Sequence, residues 1–514
     1  MPLSRVSMIF ACGTALFSDG YANGVIGLVN TILRRLYPNE LKNTNYSQTL
    51  SSLAFAGTVV GMLVFGWISD KIGRKTGMMA ATGIVALFSA LSASSKGANG
   101  SIEGMLAALS AYRFLLGIGV GAEYPCGSVA AAEQSEGEGV AKNAQHRWFT
   151  LATSKDTLHI ISMLQFAPDT MIDFGFVIAA FVPLVLLWIC GENHLRAVWR
   201  LSLGLGVVPA LLVFVWRLKM ENPEAYKRSS MKHAPVPYKL IFRRYWKSLI
   251  AVSATWFLYD FIAYPFGLYS STVVDSIIGS TNSLVVIFGW AVVINLFYMP
   301  GTIIGAFVVD IIGPKNTMIT GLVAQAIIGF FMSGFYTQLT QSHHIAGFAI
   351  LYGIFLSFGE LGPGNCLGLL ASKSWPTGVR GQTYGMAAAI GKIGAFVGTW
   401  AFPPIIDAFG GSGSVKGNTG PFWIGSGLAL LSALITFVGV RPLSHDGMMD
   451  EDEKFRAYLE QHGYDTSQLG LRDVIDAETG SVHSEKDIKE KSTVVVEGQE
   501  HSDEPSSDDV AHKA

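Results

Sequence analysis

Gly66-Trp67-Ile68-Ser69-Asp70-Lys71-Ile72-Gly73-Arg74-Lys75 is a short charged turn between two apolar runs, 47 to 68 and 76 to 95. Each run matches the roughly 20 residues a helix needs to cross the hydrocarbon of a bilayer. Outward from this turn the same alternation recurs, giving twelve runs between residues 6 and 440. The reading is an all-α polytopic membrane protein with twelve transmembrane helices. Composition agrees: 50% of residues are hydrophobic and 14% charged, where soluble chains carry about a quarter charged. The turn has its own logic, because Gly66 permits close helix approach and Asp70, at a helix C-terminus, needs a basic partner or another helix's N-terminus. A degenerate echo, Asp310-Ile-Ile-Gly313-Pro-Lys315, follows the eighth run.

These runs exclude collagen, disulfide scaffolds and wholly disordered chains. Cys12, Cys126, Cys190 and Cys366 all lie inside apolar runs and read as four buried free thiols. The first run, 6 to 33, carries Asp19 and no small-residue cleavage site, so it reads as a retained helix rather than a removable signal. No pattern of basic and aromatic residues suits nucleic acid, and no cluster suits a metal or cofactor.

Charge is divided unevenly along the chain. From Arg441 onward there are 19 acids against 8 bases, a balance of −11 that leaves +9 for the rest. Residues 441–514 read as an acidic, mostly disordered tail, with a short helix around Met449 to Gln461. Bases cluster after the second, fourth and sixth runs and before the eleventh. The loop from Lys219 to Lys247 is the strongest, with eight bases against Glu221 and Glu224. By the positive-inside bias these loops, and with them both termini, are cytoplasmic.

Six runs, a basic loop and six more runs point to duplication. Asp19 and Asp260 stand 241 residues apart, Asp70 and Asp310 240, and Pro125 and Pro363, which end Gly-Ala-Glu-Tyr-Pro and Gly-Glu-Leu-Gly-Pro, 238. This predicts two six-helix bundles about a central cavity: 1–217, a cytoplasmic loop at 218–247, and 248–440.

Polar residues within the runs are the candidates for function, since an ionisable group facing lipid costs roughly 2.5–3.5 kcal/mol. In the fourth run Arg113, Gly117 and Gly121 form a stripe at four-residue steps, read as a helix-packing face, and Glu123 and Tyr124 follow. In the seventh, Trp256, Asp260 and Tyr264 share one helix face, with Pro265 as a kink. In the eleventh, Lys392 lies among Gly391, Gly394 and Gly398 and needs an anion. Asp19, Asp260 or Glu123 could supply it as a structural ion pair, or an exchangeable substrate could.

The turn at 66–75 resembles the signature loop of the major facilitator superfamily, with Gly66, Asp70, Gly73 and Arg74 in place. Within it the chain resembles the phosphate:proton symporters, which carry Asp in the first helix, an acid before Tyr-Pro in the fourth, Trp, Asp and Tyr in the seventh and Lys in the eleventh. The matching residues are Asp19; Glu123, Tyr124 and Pro125; Trp256, Asp260 and Tyr264; and Lys392. The runs at 121–125, 189–200 and 360–365 are similar to those of fungal glycerophosphodiester permeases, especially for glycerophosphoinositol. The resemblance implies proton-driven uptake of a small anionic phosphate ester across the plasma membrane by a monomer without cofactors. Tyr124, Trp256, Asp260, Tyr264 and Lys392 would bind substrate, Asp19, Glu123 and Asp260 would carry protons, and Arg113 would join the conformational motif. Inorganic phosphate uptake and a non-transporting nutrient sensor stand as alternatives; a membrane enzyme lacks a nucleophile with its base.

Two departures qualify this. Glu123 stands where the phosphate branch has Asp, and the fifth-helix Gln of that branch has no counterpart, Asp173 being the nearest polar residue; both favour an organic ester. Residues 154–169 interrupt the fifth run with Lys155, Asp156, His159, Pro168 and Asp169 and read as a retained intron, with a cytoplasmic elaboration as the other reading. With the stretch present, the fifth helix should begin near Met171 or break near Pro168. A chain lacking 154–169 is expected to match or exceed full-length uptake. Loss of an otherwise active, well-folded carrier on deletion would contradict that reading.

Overall fold

The computed structural model describes residue 12 and residues 16–42, 45–136, 168–278, 283–340, 345–411, 413–443 and 447–470. Its long helices are α1 (Leu16–Leu36), α2 (Tyr46–Lys71), α3 (Arg74–Ser94), α4 (Ile102–Glu123, continuing as Val129–Ser135), α5 (Pro168–Cys190), α6 (Leu195–Gly204 and Val207–Arg217), α7 (Tyr238–Ile278), α8 (Leu284–Leu296 and Tyr298–Ile312), α9 (Pro314–Gly334), α10 (Ile345–Gly359, continuing as Asn365–Lys373), α11 (Arg380–Ala408), α12 (Val415–Gly439) and α13 (Gly447–Gln461). Among the described residues eleven helices are long and apolar enough to cross a membrane, and the protein is a multi-pass membrane protein. The expected first span is α1, 21 residues long. It is not among the eleven, because Ser18, Asp19, Asn23 and Asn30 dilute its hydropathy; all four are buried against other helices.

The packing repeats. In the first half α1 packs on α5, α2 on α4 and α3 on α6; in the second, α7 packs on α11, α8 on α10 and α9 on α12. Across the halves α2 meets α11, α5 meets α8, and α1 meets α7. Each pairing has its counterpart at the spacing the sequence repeat predicts. The turns after α2 and α8 repeat as well, with Gly73 at φ 142° and Gly313 at φ 78°, a region that side chains with a Cβ rarely occupy. Both halves place a five-residue π turn in the equivalent helix, Tyr124–Ser128 within α4 and Glu360–Gly364 within α10, each containing one of the paired prolines.

Close approach of small residues holds the bundles together, since lipid offers no hydrophobic drive between helices. A Cβ at Gly117 would stand 2.0 Å from the Ala54 carbonyl oxygen, and one at Gly121 2.2 Å from that of Thr58, so the stripe in α4 is a packing face on α2. Gly117→Leu is expected to cost at least the ~1–3 kcal/mol typical of overpacking, read as a lower Tm in detergent; an unchanged Tm would contradict the contact. Arg113, fully buried, donates to the Ala22 carbonyl at 2.6 Å and ties α4 to α1.

Some expectations need correction or fall outside the described residues. Cys12, Cys126 and Cys366 are buried free thiols, but Cys190 is only half-buried, because it ends α5 beside a surface turn. Residues 154–167 and 471–514 lie outside the described residues, and with them the interruption before α5 and the disorder expected of the distal tail. Pro168 opens α5. The short helix expected at the start of the tail forms as α13. α7 runs on through Pro265 as one helix of 41 residues.

Candidate transport site

α1, α4, α7 and α11 bring their intramembrane polar residues together between the two halves. Lys392, almost wholly buried on α11, lies 3.3 Å from Asp260 Oδ2 and donates a hydrogen bond to the Tyr264 hydroxyl, both on α7. Its ammonium also sits 5.0 Å from the centre of the Tyr124 ring. The Tyr124 hydroxyl donates to Asp19, as does the Asn23 amide. The two repeat-related acids Asp19 and Asp260 thus flank one cation. Trp256, one turn before Asp260, packs edge-on to Tyr384 at 5.6 Å. Gly391 is required beside it, because a Cβ there would meet the Trp256 ring at 2.4 Å.

These side chains border a cavity of about 70 Å³ lined by Tyr124, Trp256, Asp260, Tyr264 and Lys392 on one side and by Asp173, Tyr259, Tyr298 and Glu360 on another. Asp173 accepts a hydrogen bond from Thr302, and Glu360 accepts one from Tyr259 at 2.7 Å. Sequence reasoning had no role for Glu360, Tyr259 or Tyr298. Glu360 was in view within the Gly-Glu-Leu-Gly-Pro run. The π turn that it opens is the repeat counterpart of the one opened by Tyr124, so the repeat could have directed attention to it.

Glu123 is not brought to this cavity. It is buried in an ion pair with Arg217 at 2.8 Å, and Arg217 also donates to the Met78 and Cys12 carbonyls. The sequence treated Arg217 only as the end of a span. Arg113 is likewise separate from Asp70 and Arg74.

On the side of the 218–247 loop an ionic network joins the halves. Asp70 has both partners its position demanded: Arg74 Nη1 at 2.5 Å, and the N-terminus of α11 through the Gly381 and Gln382 amides at 2.9 and 2.8 Å. Gly66 lets α2 approach, its would-be Cβ 2.8 Å from the Gly381 carbonyl oxygen. Glu133, at the end of α4, bridges Arg74 at 2.9 Å and Arg380 at 3.1 Å. The tail helix adds Asp452, which accepts from the Thr377 amide and hydroxyl at 2.6 Å each. Burial lifts the Asp452 carboxyl above its ordinary pKa, with Arg380 and Thr377 opposing. Lys373 pairs with Glu136 at 2.5 Å. At the other end, Trp400 donates to Ser52 at 2.8 Å and Glu192 accepts from the Leu284 amide at 2.9 Å. The halves are therefore bridged on both sides of the cavity.

A family described as sugar (and other) transporter matches residues 6–235 and 221–455. The chain is 44% identical over 487 residues to a glycerophosphocholine permease of Candida albicans, covering 93% of this chain and 87% of that protein. It is 44% identical over 467 residues to a major glycerophosphoinositol permease of the same organism, covering 90% and 83%. Its fold is similar to that of the proton:xylose symporter XylE, with a TM-score of 0.68 at 16% identity over 88% of this chain and 98% of that one. Matched along both halves and repeating the same helix pairings in each, this chain belongs to the sugar (and other) transporter family of the major facilitator superfamily.

Proposed function

We propose that the chain carries a glycerophosphodiester into the cell across the plasma membrane together with protons, by alternating access of the two halves around the Lys392 cavity. The observation that carries this reading is a buried ammonium paired with a carboxylate in the cavity between the two halves, a partner that this reading makes exchangeable. Lys392 is held by Asp260, and a phosphodiester can replace that carboxylate once the carboxylate takes up a proton. A buried cation left without a counter-ion costs several kcal/mol, so release of Asp260 is favourable only when phosphate arrives. Charge-assisted hydrogen bonds from Lys392, with donors on Tyr124, Tyr264 and Trp256, fit phosphate oxygens. Asp19 passes protons through Tyr124, and Glu123, paired with Arg217, stands further along the same half. The basic loop and both termini face the cytoplasm in this reading, which makes the Asp70–Arg74–Glu133–Arg380 network the inner gate, closed when the site opens outward. The names of the two permeases support an organic ester.

The test is uptake by cells expressing the chain, comparing labelled glycerophosphoinositol, glycerophosphocholine and inorganic phosphate. Saturable uptake of an ester is expected. Transport of inorganic phosphate alone would contradict the assignment, as would binding of the esters without transport.

A further inference from the structure

The cavity has two chemically distinct poles, and only one of them is used by phosphate. Tyr259 and Asp260 are neighbours on α7, so their side chains diverge by about 100°. Asp260 faces Lys392, and Tyr259 faces Glu360. Around Glu360 the wall is acidic and aromatic: Asp173 on α5, with the rings of Tyr259, Tyr298 and Phe176. Phe176 lies between the poles, its ring tilted against both that of Tyr264 at 6.2 Å and that of Tyr298 at 5.6 Å. Glu360 is held against its helix, since a Cβ on Gly364 would lie 1.9 Å from its Oε2.

Charge balance separates the possible occupants. Asp173, Asp260 and Glu360 line the cavity and Asp19 adjoins it through Tyr124, while Lys392 is the one cation among the described residues that line it. Even with Asp260 protonated as phosphate binds, the Glu360 pole offers acceptors and ring faces but no cation among the described lining residues, so a substrate bringing only negative charge gains nothing there. A zwitterion brings a cation of its own, and a quaternary ammonium suits carboxylates enclosed by aromatic faces, where cation–π attraction adds to the ionic one. A neutral polyol would hydrogen-bond the acids but would add neither the ionic nor the cation–π attraction.

We propose that Glu360 and Asp173, with Tyr259, Tyr298 and Phe176, form a headgroup subsite for a quaternary ammonium, so that the chain prefers glycerophosphocholine to esters with neutral headgroups. This rests on the glycerophosphodiester reading above. It is tested in cells expressing the full chain by competing labelled glycerophosphocholine uptake with three unlabelled compounds: glycerophosphocholine, its neutral isostere bearing 3,3-dimethylbutanol in place of choline, and glycerophosphoinositol. The choline ester should compete at a concentration about tenfold or more below the other two. Glu360→Gln and Asp173→Asn should each shrink that ratio at least about threefold. Equal competition by the neutral isostere overturns the subsite and needs no variant, so a misfolded variant does not spare the proposal. Preference for glycerophosphoinositol overturns it too, while leaving the permease reading intact. Uptake of inorganic phosphate with none of any ester defeats that reading itself, and the subsite with it.

Discussion

Lys392→Ala is expected to abolish saturable ester uptake, a loss of at least about thirtyfold, at undiminished surface expression. Lys392 is the one permanent positive charge lining the cavity among the described residues. Removing one partner of a buried, hydrogen-bonded charge pair costs about 2–5 kcal/mol in binding, which is roughly thirtyfold to several thousandfold in affinity. The variant also leaves Asp260 in apolar surroundings without its ion pair, a situation a carboxyl resolves by keeping its proton. A neutral Asp260 spares the fold but presents phosphate with no countercharge. Lys392→Arg separates charge from geometry: a fork-shaped guanidinium keeps the charge but does not fit the point contact to Tyr264. Near-normal uptake by Lys392→Ala would remove this lysine from the site.

Asp260→Asn should give the second large effect, of a different kind. The amide imitates the protonated carboxyl in shape and in having no charge, so the substrate should still bind and exchange across the membrane. What should be lost is accumulation. With no proton to release at this position, the ratio of internal to external ester should fall to about one, while counterflow of labelled against unlabelled ester persists. Steep accumulation by Asp260→Asn would move the coupling to Asp19, which shares the cation's surroundings through Tyr124.

How much of this was legible in the sequence depended on whether a residue's partner lay at a predictable distance along or across the repeat. Apolar runs located the spans because bilayer thickness fixes their length. Asp70 announced the kind of partner it needed, and the structure gives it both Arg74 and the start of α11. The offset between Asp19 and Asp260 pointed to one shared centre, where both now flank Lys392. Glu360 and the pairing of Glu123 with Arg217 were not legible. Their partners, Tyr259 and Arg217, lie on other helices at separations of 101 and 94 residues, which neither helix periodicity nor the repeat offset predicts. Glu133, Glu136 and Asp452 were hidden for another reason. Loop charges read for orientation count bases, whereas these acids matter because Arg380 reaches Glu133 and Lys373 reaches Glu136 across the two halves, while Asp452 meets Thr377 from the tail helix.

Purified full-length chain in liposomes, given an inward-directed proton gradient and labelled glycerophosphodiester, tests proton-driven ester transport most directly. The account predicts accumulation above the external concentration, collapse on adding a protonophore, and no accumulation by Asp260→Asn vesicles that still show counterflow. Uptake that merely equilibrates, at the same rate with and without the gradient, would contradict it.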